Sequence, residues 1–98
     1  MSIFKQIPIK ILNYLYKIDA LGKREYEKEK SITEVSRECK ISYATTLKTL
    51  RRLEIYGYAQ SRVIGNAKIY CITKKGKELF KRIIETGEKN IFNGGSSI

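Results

Sequence analysis

The sequence contains no histidine and no tryptophan, and Asp19 is its only aspartate. Histidine is the commonest general base in enzymes and the commonest metal ligand in proteins. Its absence excludes hydrolases that depend on a histidine-assisted nucleophile. Two cysteines, Cys39 and Cys71, are too few for a zinc site within one chain. The sequence therefore predicts a protein that is not an enzyme and that binds no metal and no other cofactor.

Long hydrophobic runs are also absent. No apolar stretch approaches the roughly 18 residues that a transmembrane helix needs. The first 22 residues contain Pro8 and three lysines, and are typical of a helix rather than of a signal peptide. Ninety-eight residues, of which 42% are hydrophobic and 31% charged, are typical of one globular domain. We expect one domain over residues 1–92, a flexible tail over 93–98, a cytoplasmic location and no membrane partner.

Positive charge is in excess and unevenly distributed. Twenty Lys and Arg against ten Asp and Glu give a net charge of +10. Residues 37–82 contain twelve basic and three acidic side chains, so this segment alone carries +9. A thermophile-like surface would mix both signs evenly, as residues 23–30 do. The concentrated charge predicts a polyanion as the partner.

Hydrophobic spacing predicts two helices in the first half of the chain. The first covers residues 8–21, with Pro8 in its first turn and Gly22 at its end. Ile32 is an isolated apolar residue typical of a very short strand. The second helix begins at Thr33 as its N-cap and ends near Lys40.

Two further helices are predicted in the second half. The third begins at Ser42 as its N-cap, runs to about Tyr56 and stops at Gly57. Its apolar stripe consists of Thr46, Leu47, Leu50 and Leu53. The fourth covers about 73–86, with Thr73 as its N-cap. Its apolar stripe consists of Leu79, Phe80, Ile83 and Ile84.

Between these helices, residues 58–63 and 68–73 are typical of two strands of a hairpin. Gly65 and Asn66 suit a two-residue type II′ turn, which pairs Ile64 with Ala67. One face of this hairpin then carries Ala59, Ser61, Val63, Lys68, Tyr70 and Ile72, and the other carries Arg62, Ile64, Ile69 and Cys71.

The predicted fold is mainly α with a small β-hairpin, in the order α-α-α-β-β-α: a helix-turn-helix over about 33–56 and a wing over about 58–73. The run SITEVSRECKISYATTLKTLRRLEIYGYA, followed by KIYCITKKGKEL, resembles winged helix-turn-helix transcriptional regulators of the MarR and PadR sort. The matching positions are Glu34, Val35, Ser36, Thr45, Leu50, Leu53, Glu54, Gly57, Tyr58, Tyr70, Ile72, Thr73 and Gly76. Lys40 departs from the family, which often has glycine at this turn, and predicts strain or a different turn.

The resemblance implies a DNA-binding transcriptional regulator of a prokaryote, an archaeon or their virus, with sequence-specific or semi-specific binding to double-stranded DNA. A helix fits the major groove, where its N-terminal part meets the base edges. The candidates for base contact are Ser42, Tyr43, Thr45, Lys48 and Thr49, with Arg52 expected on the DNA backbone. The wing candidates, for a minor groove or phosphates, are Arg62, Asn66 and Lys68. The base-contact candidates are hydroxyls and one lysine, with no Arg, Asn or Gln, so the bidentate pairings that discriminate strongly between bases are missing and modest specificity or indirect readout is expected.

Self-association is also predicted. The first and fourth helices carry more apolar surface than a core of short helices absorbs, and related regulators dimerise through terminal helices. The candidate interface residues are Ile11, Leu15, Leu79, Phe80, Ile83 and Ile84. A homodimer would present two recognition helices about 34 Å apart to a palindromic site.

Several alternatives stay open. The fold also serves as a protein-interaction or architectural module of a transcription or replication assembly, although such modules usually have a neutral or acidic recognition face. RNA binding would use exposed aromatics such as Tyr43, Tyr56 and Tyr58. Cys39 fits a buried structural position. Cys71 fits a half-exposed small residue, with a redox switch as the other interpretation.

Overall fold

The structure is a computed structural model that describes residues 2–87, with side chains described over 6–85. In chain order its elements are α1 (Ser2–Leu21), β1 (Lys30–Ser31), α2 (Ile32–Cys39), α3 (Tyr43–Ile55), β2 (Ala59–Ile64), β3 (Ala67–Ile72) and α4 (Lys74–Arg82). A 3₁₀ turn, Glu25–Lys28, precedes β1, and a π-helical turn, Ile83–Gly87, follows α4. This order confirms the predicted arrangement. The predicted tail lies outside the described residues. Among those residues, no helix has the length and apolar character needed to cross a membrane.

Helix α1 begins earlier than predicted, so Pro8 lies inside the helix and not in its first turn. Proline has no backbone N–H and cannot donate to the carbonyl one turn before it. The end of α1 agrees with the prediction, because the N–H of Gly22 donates to the carbonyl of Ile18 at 2.8 Å.

The start of α2 corrects two predictions. Its N-cap is Ser31, not Thr33, and Ile32 is the first helical residue rather than a strand. The Ser31 hydroxyl accepts from the N–H of Glu34 at 3.2 Å, and the Glu34 carboxylate accepts from the N–H of Ser31 at 2.9 Å. This reciprocal pair satisfies two backbone donors together, which favours Ser31 as the cap.

The turn between α2 and α3 contains one residue, Lys40, with a left-handed backbone conformation. Lys40 has φ 57° and ψ 47°, and is the only non-glycine residue with positive φ among those described. The hydroxyl of Ser36 donates to the carbonyl of Ile41, which ties the turn back to α2. Lys40 thus occupies the conformation that glycine adopts at lower cost.

Helix α3 and the hairpin follow the predictions closely. Ser42 caps α3 by accepting from the N–H of Thr45 at 3.2 Å. Strands β2 and β3 pair with Ile64 opposite Ala67, and β1 adds to the other edge of β3. Gly65 has φ 61° whereas Asn66 has negative φ, as a type II′ turn requires.

The core lies where α1 packs against α2, α3, β3 and α4. It consists of Ile11, Leu12, Leu15, Ile32, Val35, Cys39, Leu50, Leu53, Ala59, Tyr70, Ile72 and Phe80. Ile11 and Leu15 have no exposed surface, and the ring of Phe80 lies 4.9 Å from that of Tyr16. The expectation that Ile11, Leu15 and Phe80 meet a second copy is therefore wrong, because one chain buries them.

Helix α4 is bonded directly to the end of α3. Thr73, its N-cap as predicted, donates its hydroxyl to the carbonyl of Gly57 at 2.6 Å. The ammonium of Lys75 donates to the carbonyl of Tyr56 at 2.9 Å. A Cβ on Gly76 would overlap the Tyr58 carbonyl, which explains the glycine at this position. Side chains at the start of α4 thus bond to backbone carbonyls at the end of α3.

Candidate nucleic-acid interface

The outward face of α3 is basic. Its inner face consists of Thr46, Thr49, Leu50 and Leu53. Lys48, Arg51 and Arg52 are exposed on the other side, and no ion pair within the described residues involves them. These three cations are therefore available to an anionic partner.

Thr49 corrects the predicted recognition face, because it is only 8% exposed. It lines a groove with Ile9 and Leu12 of α1, so that α1 covers this side of α3. Leu47, predicted as core, is half-buried instead. The inner face is thus rotated away from Leu47 and towards Thr49.

Arg51 is the residue that the sequence analysis missed. With Ala44, Leu47, Lys48 and Arg52 it surrounds a shallow depression on the outer side of α3. The predicted stripe of Thr46, Leu47, Leu50 and Leu53 would leave Arg51 at the side of the helix. With 3.6 residues per turn, a stripe with Thr49 in place of Leu47 turns Arg51 outward. The spacing of Thr49, three residues after Thr46, was the available signal.

The hydroxyls at the start of α3 mainly build the helix cap. The Ser42 hydroxyl accepts from the backbone of Thr45 and donates to its side-chain oxygen at 2.9 Å. Thr45 is half-buried, whereas the side chain of Tyr43 is 52% exposed. Of the predicted contacts in this turn, Tyr43 extends furthest from the protein.

The basic side chains of the hairpin are held by carboxylates. Arg62 donates to both oxygens of Glu29, at 2.7 and 2.9 Å. This hydrogen-bonded guanidinium lowers the pKa of Glu29 below its ordinary value. Lys68 lies 3.8 Å from the carboxylate of Glu54, which also accepts from Ser61 at 2.6 Å. Arg62 and Lys68 are thus less available than the cations of α3.

The end of the hairpin is uncharged. Val63 and Ile64 are 67% and 50% exposed, and the next three residues, through Ala67, are exposed as well. We name residues 63–67 the wing tip. Asn66, a predicted contact, is the only residue of the wing tip with a polar side chain.

A groove of about 530 Å³ lies between the first half of α1, α3 and the end of α4; its lining is mainly apolar but includes Lys48 and Arg52 of α3. Leu79 and Ile83 line it, and the next residue, Ile84 of the π-helical turn, is 42% exposed. Among the predicted self-association residues, these three keep accessible apolar surface, in contrast to those in the core.

The cysteines are both free thiols. Cys39 is buried in the core, as its structural interpretation requires. Burial raises the pKa of the half-buried Cys71 thiol, although Gln60 donates a hydrogen bond to its sulfur at 3.5 Å. A raised pKa lowers the thiolate fraction and slows oxidation. Within the described residues, no three His, Cys, Asp or Glu side chains form a group suited to a metal ion.

Comparison with solved structures identifies the fold. The chain is similar to AF1382 of Archaeoglobus fulgidus, with a TM-score of 0.68 and 18% identity over 96% of this chain and 92% of that one. It is similar to the homodimeric winged helix-turn-helix DNA-binding domain of Mb0332 from Mycobacterium bovis, with a TM-score of 0.62 and 18% identity over 84% and 68%. It is also similar to MepR, a transcription regulator of the Staphylococcus aureus multidrug efflux pump MepA, with a TM-score of 0.63 and 19% identity over 92% and 64%. Neither protein-family models nor curated protein sequences give a match. These likenesses confirm the winged-helix fold.

Proposed function

We propose that the protein is a homodimeric transcription regulator that binds double-stranded DNA, with α3 in the major groove. The observation that carries this proposal is the outward face of α3, where Lys48, Arg51 and Arg52 are exposed beside one another. A helix with such a face fits the width of the major groove and neutralises the phosphates that border it.

Base and phosphate contacts divide along α3. Tyr43 and Lys48 lie in its first half, which meets base edges when a recognition helix enters the groove by its N-terminus. Arg51 and Arg52 lie further along, where side chains reach the DNA backbone. Phosphate contacts fix the position of the protein, and base contacts supply specificity. With few base-reading groups on α3, specificity is modest.

Self-association uses the α4 margin of the groove, on the side away from Lys48 and Arg52 of α3. Leu79, Ile83 and Ile84 present apolar surface beside the first half of α1. A second copy of the chain is the occupant that we propose, because Mb0332, of similar fold, is homodimeric. A twofold dimer of this kind brings two copies of α3 to one face of the DNA.

Selection of bound duplexes from a random pool, at two salt concentrations, tests the DNA-binding proposal. Enrichment of a twofold-symmetric motif supports it. Uniform binding that disappears at the higher salt would leave an architectural protein, and no binding at low salt would overturn the proposal. Lys48→Ala should change the enriched motif. Lys17→Ala, which removes another exposed lysine, on α1, is the matched control and should leave it unchanged.

Light scattering at micromolar concentration tests the dimer. The unmodified chain should have the mass of two copies, and Ile84→Glu should shift it towards one copy. Leu21→Glu adds the same charge at a site 80% exposed at the other end of α1, and should leave the mass unchanged. A monomeric unmodified chain would refute the dimer.

A further inference from the structure

We infer that the wing tip enters the minor groove of bound DNA as an apolar wedge, which partly unstacks a base step and bends the duplex. The inference rests on the proposed DNA-binding function and adds how the wing engages the partner. It begins from the exposure of Val63 and Ile64, which are β-branched side chains on opposite faces of the hairpin end. Together they give the hairpin end apolar surface on both of its faces.

The wing tip has no cationic side chain with which to neutralise phosphates. None of its five residues is charged, and Asn66 is its only polar side chain. The nearest strand cations are held elsewhere, since Arg62 is bonded twice to Glu29 and Lys68 lies beside Glu54. A wing that met DNA through its charges would leave these cations unpaired.

The wing tip lies on the same side of the molecule as the end of α3. Glu54 of α3 accepts from Ser61 of β2 at 2.6 Å, so the hairpin runs beside that helix. Val63 follows Ser61 on the same face and lies about 6.6 Å further along the strand. With α3 in the major groove, the next groove along the duplex is the one that the wing tip meets.

The dimensions of the hairpin explain why entry distorts the DNA. Its two strands are about 4.8 Å apart before side chains are added, whereas the minor groove is about 6 Å wide. Val63 and Ile64 therefore cannot enter without opening the groove. Proteins that insert aliphatic side chains between base steps bend the duplex by about 20–90° towards the major groove.

The test measures both the bending of the duplex and the unstacking of its bases, on the duplex enriched by the random-pool selection. End-to-end energy transfer reports the bend, and 2-aminopurine placed at successive minor-groove positions brightens where a base unstacks. The double variant Val63→Thr, Ile64→Thr keeps β-branched side chains in the strand but makes the wing tip polar. Leu21→Thr, at an exposed leucine outside α3 and the hairpin, is the matched control.

The unmodified protein and the Leu21→Thr control should bend the duplex and brighten one 2-aminopurine position. The double variant should still bind, about tenfold more weakly, with the bend and the brightening lost. Its dependence on salt should stay unchanged, because no phosphate contact is removed. If the complex forms without bending or unstacking the DNA, the wedge inference is wrong while the proposed DNA-binding function stands. The same conclusion follows if the double variant bends the DNA as the unmodified chain does. A change of mass in light scattering would assign the wing tip to contact between copies instead. Absence of any duplex binding overturns the proposed function as well.

Discussion

At the scale of single residues, neighbouring carboxylates decide which cations can meet a partner. Lys48 and Arg51 stand on α3 without a carboxylate beside them among the described residues, whereas Arg62 is bonded to Glu29. Sequence could rank these side chains only by position in their elements. The Glu29–Arg62 pair spans 33 residues of chain, so local pattern gave no sign of it.

Glu29→Gln should lower the free energy of unfolding at neutral pH and leave it unchanged in acid. Arg62 lowers the pKa of Glu29 from its ordinary 4.5, so the folded state favours the charged carboxylate. The contribution of the pair is therefore complete above about pH 4.5, and is lost as the pH falls through the lowered pKa. Urea unfolding midpoints of both proteins, measured from neutral pH down to about pH 3, check this. Glu78→Gln, at an exposed carboxylate of α4, is the control, and a difference that persists in acid would contradict the prediction.

Lys40→Gly should be more stable than Lys40→Ala, although both remove the same charge. Lys40 has φ 57°, a left-handed conformation in which a Cβ costs about 1–2 kcal/mol. Glycine avoids that cost, so we expect a difference of about 1 kcal/mol, or roughly 4–8 °C in the thermal midpoint. Equal midpoints for the two variants would mean that the turn relaxes in one of them.

At the scale of elements, capping and turn residues were the most informative signal in the sequence. The start and end of α3 were predicted from Ser42 and Gly57, and the start of α4 from Thr73. The register of the hairpin was predicted from the Gly65–Asn66 turn. Thr46, Leu50 and Leu53 of the inner face of α3 were predicted, but Thr49 was not, because its burial depends on where α1 crosses α3, which is a tertiary contact. Thr49 joins the core where the sequence favoured Leu47.

The cap of α2 was wrong in the sequence analysis although the signal was present. Ser31 and Glu34 have the spacing of a capping box, but Thr33 is also a good N-cap and lies closer to Val35. Ser31→Ala should lower the free energy of unfolding by about 1 kcal/mol. Thr33→Ala should change it by less than about half of that, because Thr33 is an exposed residue in the first turn. Chemical denaturation of both variants distinguishes the two caps, and a larger loss in Thr33→Ala would restore the original assignment.

At the scale of the whole molecule, the surplus of ten positive charges matters less than where cations remain unpaired. The segment 37–82 holds +9, but Arg62, Lys68 and Lys77 lie beside Glu29, Glu54 and Asp19. With these three cations paired, Lys48, Arg51 and Arg52 make up a larger share of the unpaired positive charge of this segment than a count from the sequence indicates. Composition could predict a polyanionic partner, but not which cations the fold would neutralise.

Salt titration of DNA binding measures this concentration of charge. Each phosphate contact that is lost should reduce the slope of log affinity against log salt by about 0.9. Arg51→Ala and Arg52→Ala should each lower the slope by that amount, whereas Lys77→Ala, which leaves Asp19 unpaired on α1, should leave it unchanged. A slope that responds to Lys77 rather than to Arg51 would place the DNA on another face.

The bonds between the end of α3 and the start of α4 have a mechanical consequence. Thr73 and Lys75 donate hydrogen bonds to the carbonyls of Gly57 and Tyr56, so the start of α4 is held against the end of α3. In a dimer with its interface beside α4, a small rotation of one copy relative to the other would change the distance between the two α3 helices. Two half-sites one turn of B-DNA apart require the two α3 helices to lie about 34 Å apart. A change at the dimer interface that alters this distance would therefore weaken DNA binding without contacting any residue of α3.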